Sequence, residues 1–392
     1  MTVNSAATWT PCRPTVSAMV SSPPWRWLAA SLLFWLAGTV SGAQPVAGNN
    51  TPEEETVART EHFRVPFFTV RNRTGSNDAE NYFGGKRDRL RAGYCEISGK
   101  PVPVLQSLSE EVPFYVPEDI LSLDKVTEKP VKPFWQAFRQ STGKRAPVLY
   151  THGFYISFDR GCRRAAEFQR NLKREGSLVL FSWPSDGVIV NYTQDEADMY
   201  WSVKPLKALI DDYFRHFGAG RANLVAHSLG TRGLLLALVR LAAEQSGKAS
   251  ASPLFNQLVF IAPDIDAGIF RQYLPVIKPL ARNITVYVSE HDSPLAISAQ
   301  LHGYPRLGQA GAHLDGLTGI DIIDVSAVPV QYPSGHLYHL YNKPVINDLE
   351  QLLNRNLAAS QRMNLVRSNN RWQLRPAEKV TGSADSTRGG KK

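Results

Sequence analysis

Short apolar runs alternate with amphipathic segments from residue 147 onward. The runs are "PVLYTHGF" (147–154), "SLVLFSWPSDG" (177–187), "ANLVAHS" (222–228), "NQLVFIAPD" (256–264), "NITVYVSEHD" (283–292) and "GIDIIDVSAV" (319–328). Each run is apolar, rich in β-branched residues and ends in polar ones, which is typical of a buried strand in a parallel sheet. Helical segments separate most of the runs, so the pattern predicts an α/β fold with helices on both faces of the sheet.

Amphipathic helices are predicted for three segments: "RAAEFQRNL" (164–172), "PLKALIDDYFRHFGAG" (205–220) and "PVINDLEQLLNRNL" (344–357). In the second segment the apolar side chains fall on one helical face, and Gly218 is placed to end the helix. These segments would cover the sheet.

A different pattern precedes residue 147. The segments "FRVPFFTVRNR" (63–73) and "RLRAGYCEISGKPVPV" (89–104) are predicted to be strands because apolar and polar residues alternate in them. Residues 105–145 contain four prolines, which favours an irregular connecting segment.

An apolar run of 14 residues, "WLAASLLFWLAGTV" (27–40), follows Arg26 and precedes small residues. This layout predicts a signal peptide over residues 1–43, cleaved after Ala43, with Met19 as an alternative start. The run is short for a membrane span, which needs about 20 apolar residues. We therefore expect a secreted or periplasmic protein, or a membrane-anchored one if the segment stays uncleaved.

The remaining chain divides by composition into a polar linker (44–61), an α/β domain (62–357) and a basic, partly disordered tail (358–392). The formal net charge of the chain is +9. Cations in the tail are dispersed, with Trp372 as their one aromatic neighbour, which argues against specific nucleic-acid binding. A solvated, partly disordered tail is the better interpretation, and contact of this tail with an anionic membrane surface stays open. Oligomeric state stays open.

Ser228 lies where a predicted strand meets a predicted helix, in "NLVAHSLGTRG" (223–233). A nucleophilic serine has to project from the sheet, and a sharp strand–turn–helix bend achieves this when the residues two places to either side are small. Ala226 and Gly230 meet that requirement. Ser228 is therefore predicted to be a nucleophile rather than an ordinary turn residue, with the Leu229 amide as an oxyanion donor.

With this bend the chain resembles the α/β-hydrolase superfamily, and more closely a bacterial branch of serine-esterase-like hydrolases. The shared segments include "VPFFTVRNR", "VLYTHGF", "FSWPSDG", "AHSLGTRG", "APDID", "YVSEHDSPLAISAQLHG" and "GHLYHLYNKPVINDL". The resemblance covers roughly residues 63–353. It implies an eight-stranded, mostly parallel sheet and a catalytic triad in the chain order nucleophile, acid, base.

The catalytic base is predicted to follow the last strand. His336 comes after the flexible pair Ser334-Gly335 and occupies the position that matches the family motif. Its rivals are His339, His302 and His313. The choice depends on chain order, because a lone histidine is more often structural than catalytic.

The catalytic acid is predicted to be Asp292, which ends the run where the family places it. Asp264 and Asp266 in "APDID" are rivals, with helix capping as their other role. Asp321 and Asp324 lie within the last predicted strand and are weaker candidates.

The second oxyanion donor is expected in the loop after "VLYTHGF", where we choose the Phe154 amide, with Gly153 enabling the turn. The insert that follows "FSWPSDG" is short, so little or no cap domain is expected. For the aromatic residues in and after this insert two roles stay open. They either line an acyl pocket or pack in the core and on the surface. They are Trp183, Tyr192, Tyr200 and Trp201.

Cys95 and Cys162 are the cysteines outside the predicted signal peptide. In an oxidising compartment they could form a disulfide, or they could remain two separate thiols. Their spacing in the sequence does not decide between these alternatives. Neither belongs to a metal-ligand spacing, so no metal or cofactor is expected. The sequence thus predicts a serine hydrolase, most simply a carboxylesterase acting on a small-molecule ester. A lipase, thioesterase or amidase with the same triad, and a non-catalytic binding module of the same fold, are the alternatives.

Overall fold

A computed structural model describes residues 60–99, 121–143, 147–245, 252–330 and 334–376. All of these residues belong to one compact unit, Val57–Lys392. The predicted signal peptide (1–43) and all but the end of the predicted linker (44–61) lie outside the described residues.

Within the described residues the strands form one sheet of eleven. They are β1 (Glu61–Arg73), β2 (Phe83–Gly99), β3 (Leu121–Lys129), β4 (Val148–Thr151), β5 (Leu178–Ser182), β6 (Ala222–His227), β7 (Phe255–Ile261), β8 (Ala281–Val288), β9 (Asp321–Asp324), β10 (Leu365–Ser368) and β11 (Arg371–Leu374). Their order is β10-β11-β9-β8-β7-β6-β4-β5-β1-β2-β3. The pairings β1–β2, β2–β3 and β10–β11 are antiparallel and the others are parallel. The mostly parallel α/β fold is confirmed, but the expected number of eight strands is wrong.

Helices cover both faces of the sheet. They are α1 (Val131–Thr142), α2 (Phe158–Asn171), α3 (Tyr192–Phe217), α4 (Leu229–Gln245), α5 (Ala267–Ile277), α6 (Ser293–His302), α7 (Tyr338–Tyr341) and α8 (Lys343–Arg355). One core contains apolar side chains of α1, α3, α4 and α5, while a second contains those of α2, α7 and α8. None of the helices in the described ranges has the combined length and apolarity that a membrane-crossing segment requires.

The segment 105–145 is not an irregular connection throughout. It contains β3 and α1, whose side chains Phe134, Trp135 and Phe138 are buried against the sheet. The prolines misled the sequence prediction because Pro130 precedes the helix and Pro133 lies in its first turn. At those positions a proline costs no helical hydrogen bond.

The fold also extends beyond residue 357, where the sequence analysis ended the domain. β10 and β11 form a hairpin that adds β11 to β9. Arg362, taken from sequence as part of a basic tail, is buried and pairs with the Asp348 carboxylate at 2.8 Å. The predicted end of the domain is therefore too early, and residues 377–392 of the predicted tail lie outside the described residues.

A disulfide joins Cys95 in β2 to Cys162 in α2, with their Cα atoms 6.2 Å apart. Both residues are fully buried. The bond answers the pairing question that sequence spacing left open. It connects the antiparallel side of the sheet to the helix that follows the loop after β4.

Candidate active site

Ser228 lies between the end of β6 and the start of α4 with a φ angle of +52°. This left-handed conformation is uncommon for a residue with a side chain and persists where the surroundings hold it. The backbone carbonyl of Ser228 accepts hydrogen bonds from the amide and the hydroxyl of Thr231. The strand–turn–helix bend expected from the sequence is thus present around Ser228.

The loop after β4, residues 153–157, crosses directly over this bend. A Cβ atom added to Gly230 would lie 2.2 Å from the His152 carbonyl oxygen, and one added to Gly153 would lie 2.7 Å from Ser228 Cβ. From the sequence, a small residue was expected at position 230 because the bend itself requires one. The neighbour that requires it is instead the backbone at the end of β4.

Asp292 and His336 are brought together. The Nδ1 atom of His336 lies 2.7 Å from Oδ2 of Asp292, whose side chain is fully buried. A carboxylate accepts hydrogen bonds, so Nδ1 of His336 is the donor in this contact. Gly335 allows this approach, since it has a φ of +64° and a Cβ there would lie 2.1 Å from the His291 carbonyl oxygen.

His227 connects the His336 segment to the bend at Ser228. Its Nε2 donates to the His336 carbonyl oxygen at 3.1 Å, and the two rings lie 4.6 Å apart between centroids. Burial holds the pKa of His227 well below its ordinary value, so the ring is neutral. Among the described residues, no hydrogen bond joins the Ser228 hydroxyl to the His336 ring, so that contact stays a prediction.

The rival carboxylates have other partners. Asp264 lies between Arg232 and Arg306, and its Oδ1 accepts from Arg306 Nε at 2.8 Å. Burial opposes its charge, yet the two guanidinium groups hold the pKa of Asp264 below its ordinary value. Asp266 caps α5 by accepting from the Gly268 amide at 2.7 Å. Neither carboxylate binds a histidine in the described part of the chain.

The rival histidines are likewise bound elsewhere. His339 is buried and its ring lies 4.4 Å from that of His227. Nε2 of His302 lies 2.9 Å from the Glu196 carboxylate, and Nε2 of His313 donates to the Arg306 carbonyl oxygen. Among the acids and bases weighed from the sequence, Asp292 and His336 are therefore the two whose side chains contact each other.

Both predicted oxyanion donors border Ser228. Leu229 follows it at the first position of α4, and Phe154 follows Gly153 in the loop that crosses the bend. The Phe154 ring packs edge-on against Tyr192 with centroids 5.1 Å apart. The two amides therefore belong to the bend and to the loop that crosses it.

The four aromatic residues considered either for an acyl pocket or for ordinary packing separate in the structure. Trp183 is fully buried, and its indole N–H donates to the His152 carbonyl oxygen at 2.8 Å, so it supports the loop instead of lining a pocket. Tyr192 contacts the loop, while Tyr200 and Trp201 are exposed. The segment between β5 and α3 is short, in agreement with the expected lack of a large cap.

The sequence analysis missed Arg71 and Asp195, two buried charged residues that contact the loop after β4. Arg71 interrupts the apolar run "VPFFTVRNR" at a buried position, a signal that could have marked it. Asp195 falls in a polar stretch before the predicted start of α3 and carries no comparable signal. Among the described residues, no group of three His, Cys, Asp or Glu side chains is placed to hold a metal ion.

Fold and site geometry together define an α/β hydrolase. The chain belongs to the family described as "Alpha/beta hydrolase of unknown function (DUF900)", whose model matches residues 133–355, more than half of the chain. Among curated proteins no sequence matches this chain.

Several solved structures resemble the fold distantly. An esterase from Pyrobaculum calidifontis is 13% identical with a TM-score of 0.31, and the match covers 64% of this chain and 97% of that one. A predicted CIB-like hydrolase from Thermoplasma acidophilum is 13% identical with a TM-score of 0.33, covering 55% and 89%. The carboxylesterase CesB from Bacillus subtilis is 14% identical with a TM-score of 0.29, covering 57% and 97%. Similarity at this level carries no conclusion about activity.

Proposed function

We propose that the protein is a serine hydrolase that cleaves carboxylic esters, with Ser228 as nucleophile, His336 as base and Asp292 as acid. The observation that carries the proposal is the 2.7 Å contact between Asp292 and His336, on a segment that His227 connects to the bend at Ser228. A nucleophile on a strained bend beside an oriented imidazole is the arrangement that acyl transfer needs.

The reaction proceeds in two halves. Ser228 Oγ attacks the ester carbonyl carbon while Nε2 of His336 takes the hydroxyl proton and then gives it to the departing alcohol. Water, deprotonated by the same nitrogen, attacks the acyl-serine and releases the carboxylic acid, returning the proton to Ser228. Asp292 holds the ring through Nδ1 and stabilises its charged form.

The Leu229 and Phe154 amides would receive the oxygen that becomes negative in each tetrahedral intermediate. One missing donor of this kind costs about 10²–10³ in turnover. The donors are backbone groups, so their positions depend on the bend at Ser228 and on the loop that follows β4.

A lipase is the second candidate, because two exposed apolar groups flank Tyr192. One group precedes it in the chain and the other lies on or after α6, whose Ser298 contacts the Tyr192 hydroxyl. The groups are Val188, Ile189 and Val190, and Ile297, Leu301 and Tyr304. Apolar surface of this kind beside a site favours long acyl chains over short ones.

A fluorophosphonate probe and a panel of p-nitrophenyl esters of rising chain length test the proposal. Wild type should be labelled, and Ser228→Ala should lose labelling and about 10⁶-fold in turnover. Ser202→Ala removes another buried serine hydroxyl, which donates to the Asp198 carbonyl oxygen, and should leave both readouts unchanged. Unlabelled wild type, or equal labelling of Ser228→Ala, would instead favour the non-catalytic binding module. A preference for long chains would select the lipase.

We also propose that the chain is exported and cleaved after Ala43. The buried Cys95–Cys162 disulfide supports this, because disulfides persist mainly in oxidising compartments. Mass spectrometry of the mature N-terminus checks the proposal, and an intact Met1 or Met19 would contradict it.

A further inference from the structure

The loop after β4 has a strained backbone conformation that contacts with other parts of the chain have to stabilise. Tyr155, directly after the proposed oxyanion donor Phe154, has a φ angle of +64°. A bulky residue in the left-handed region is strained and keeps that conformation only where its surroundings fix it. The contacts around residues 155 and 156 should therefore show what fixes the loop.

Three backbone groups of Tyr155 and Ile156 bind buried side chains from three separate parts of the chain. The Tyr155 amide donates to Asp195 Oδ2 in α3 at 3.3 Å. The Ile156 amide donates to Ser185 Oγ, in the segment after β5, at 2.9 Å. The Ile156 carbonyl oxygen accepts from Arg71 Nη2 in β1 at 2.7 Å.

These three residues, which we call the Arg71–Ser185–Asp195 assembly, are also connected to one another by hydrogen bonds. The Ser185 hydroxyl donates to Asp195, and the Ser185 carbonyl oxygen accepts from Arg71. Asp195 accepts a further bond from the Asp186 amide at 3.1 Å. Each of the three residues is at most 1% exposed. The loop is thus held by a closed, water-excluded set of bonds.

The charges of the assembly depend on one another. Burial lowers the pKa of Arg71 to about 9, and the field of Asp195 is the largest influence opposing that fall. Burial raises the pKa of Asp195 to about 6, against three hydrogen bonds that favour the carboxylate. A buried charge of this kind is retained at a cost, which suggests a role that an apolar side chain could not fill.

We propose that the Arg71–Ser185–Asp195 assembly is the device that holds the Phe154 amide in position to bind the oxyanion, with Asp195 as a positioning residue. The inference rests on the proposed function. The assembly holds the N–H of the next peptide group along the loop, at Tyr155, and both backbone groups of Ile156. These bonds limit rotation of the Phe154 amide as the tetrahedral intermediate forms. Positioning of this kind acts on the transition state and leaves ground-state binding unchanged.

Asp195→Asn in the full chain tests the proposal. Asparagine keeps the size but replaces one acceptor oxygen with an N–H donor, so the Tyr155 or Asp186 amide loses its partner. We expect kcat for a p-nitrophenyl ester to fall about 10- to 100-fold while KM changes less than about threefold. Affinity for an alkyl boronic acid, which forms a tetrahedral adduct on serine, should fall by a similar factor.

Asp198→Asn is the matched control. Asp198 is a second buried carboxylate of α3, one turn further along, and it pairs with Arg87 instead of the loop. This variant should keep wild-type kcat and boronic acid affinity. If Asp195→Asn does not fold, as judged by thermal denaturation, Ser185→Ala replaces it, because it removes a smaller group that contacts both Ile156 and Asp195.

The outcomes separate this inference from the proposed function. Wild type that fluorophosphonate does not label overturns both. Labelled wild type together with a folded Asp195→Asn variant of normal kcat overturns the inference alone, as does a variant whose loss lies entirely in KM. A selective loss of kcat and of boronic acid affinity in Asp195→Asn, absent in Asp198→Asn, supports it.

Discussion

One carboxylate oxygen of Asp292 caps helix α6 through the Leu295 amide, while the other binds the His336 ring. Asparagine can keep the cap through its carbonyl oxygen but loses the charge that stabilises the protonated imidazole. We expect Asp292→Asn to lower kcat about 10³- to 10⁴-fold with little change in melting temperature. Steady-state kinetics beside a thermal melt check this, and a near-normal kcat would remove Asp292 from the triad.

Asp264→Asn is expected to have the opposite effect, which is a loss of stability with little change in turnover. Its carboxylate lies between two arginines, so Asp264→Asn leaves Arg232 and Arg306 buried with less compensation. We expect a loss of about 3 kcal/mol in unfolding free energy. When the rate is divided by the number of active sites that the fluorophosphonate probe labels, turnover should stay near that of wild type. Denaturant unfolding and active-site titration measure the two quantities, and a stable but inactive variant would transfer the acid's role to Asp264.

At the scale of elements, the bend at Ser228 and the loop after β4 act as one unit because their backbones nearly touch. Gly230→Ala would place a methyl group 2.2 Å from the His152 carbonyl oxygen, so the loop or the helix has to move. We expect a loss of at least about 2 kcal/mol in stability and most of the esterase activity. Gly268→Ala, whose Cβ meets only the Asp266 side chain, is the control and should change neither melting temperature nor turnover appreciably.

The elements that the sequence predicted well are those with a strong apolar pattern. The central strands β4 to β8 and the bend at Ser228 follow from short apolar runs that polar residues end. β3, α1 and the first turns of α3 were missed because prolines and polar side chains conceal their periodicity. Pro205, for example, lies inside α3 but marked its start in the sequence analysis.

At the scale of the whole molecule, the Cys95–Cys162 disulfide closes a stretch of 67 residues between β2 and α2. Replacing both cysteines with alanine should lower the free energy of unfolding by about 2–4 kcal/mol. Guanidinium unfolding of the oxidised, reduced and double-alanine proteins measures the loss. Because both sulfurs are buried, reductant should act on wild type only after unfolding, and rapid reduction of the folded protein would contradict this.

Site residues from distant parts of the chain were predictable where the family resemblance or the chain order favoured one candidate over its rivals. Asp292 and His336 were chosen on that basis, and their side chains meet. The roles of Arg71 and Asp195 were not predictable, although Arg71 stands out in its apolar run, because each side chain binds the loop across more than 35 residues of chain. Packing of the whole sheet creates such contacts, and no local spacing records them.

The hairpin of β10 and β11 protects an edge of the sheet against pairing with a second molecule. A protein ending at residue 357 would leave the backbone N–H and C=O groups of β9 without the partner that β11 provides, and a neighbouring molecule could pair with them. In the longer chain the outermost described strand on this side is four residues long and carries Arg367. A short, charged border of this kind is a poor template for stacking, so we infer that the hairpin helps to keep the protein dispersed at high concentration.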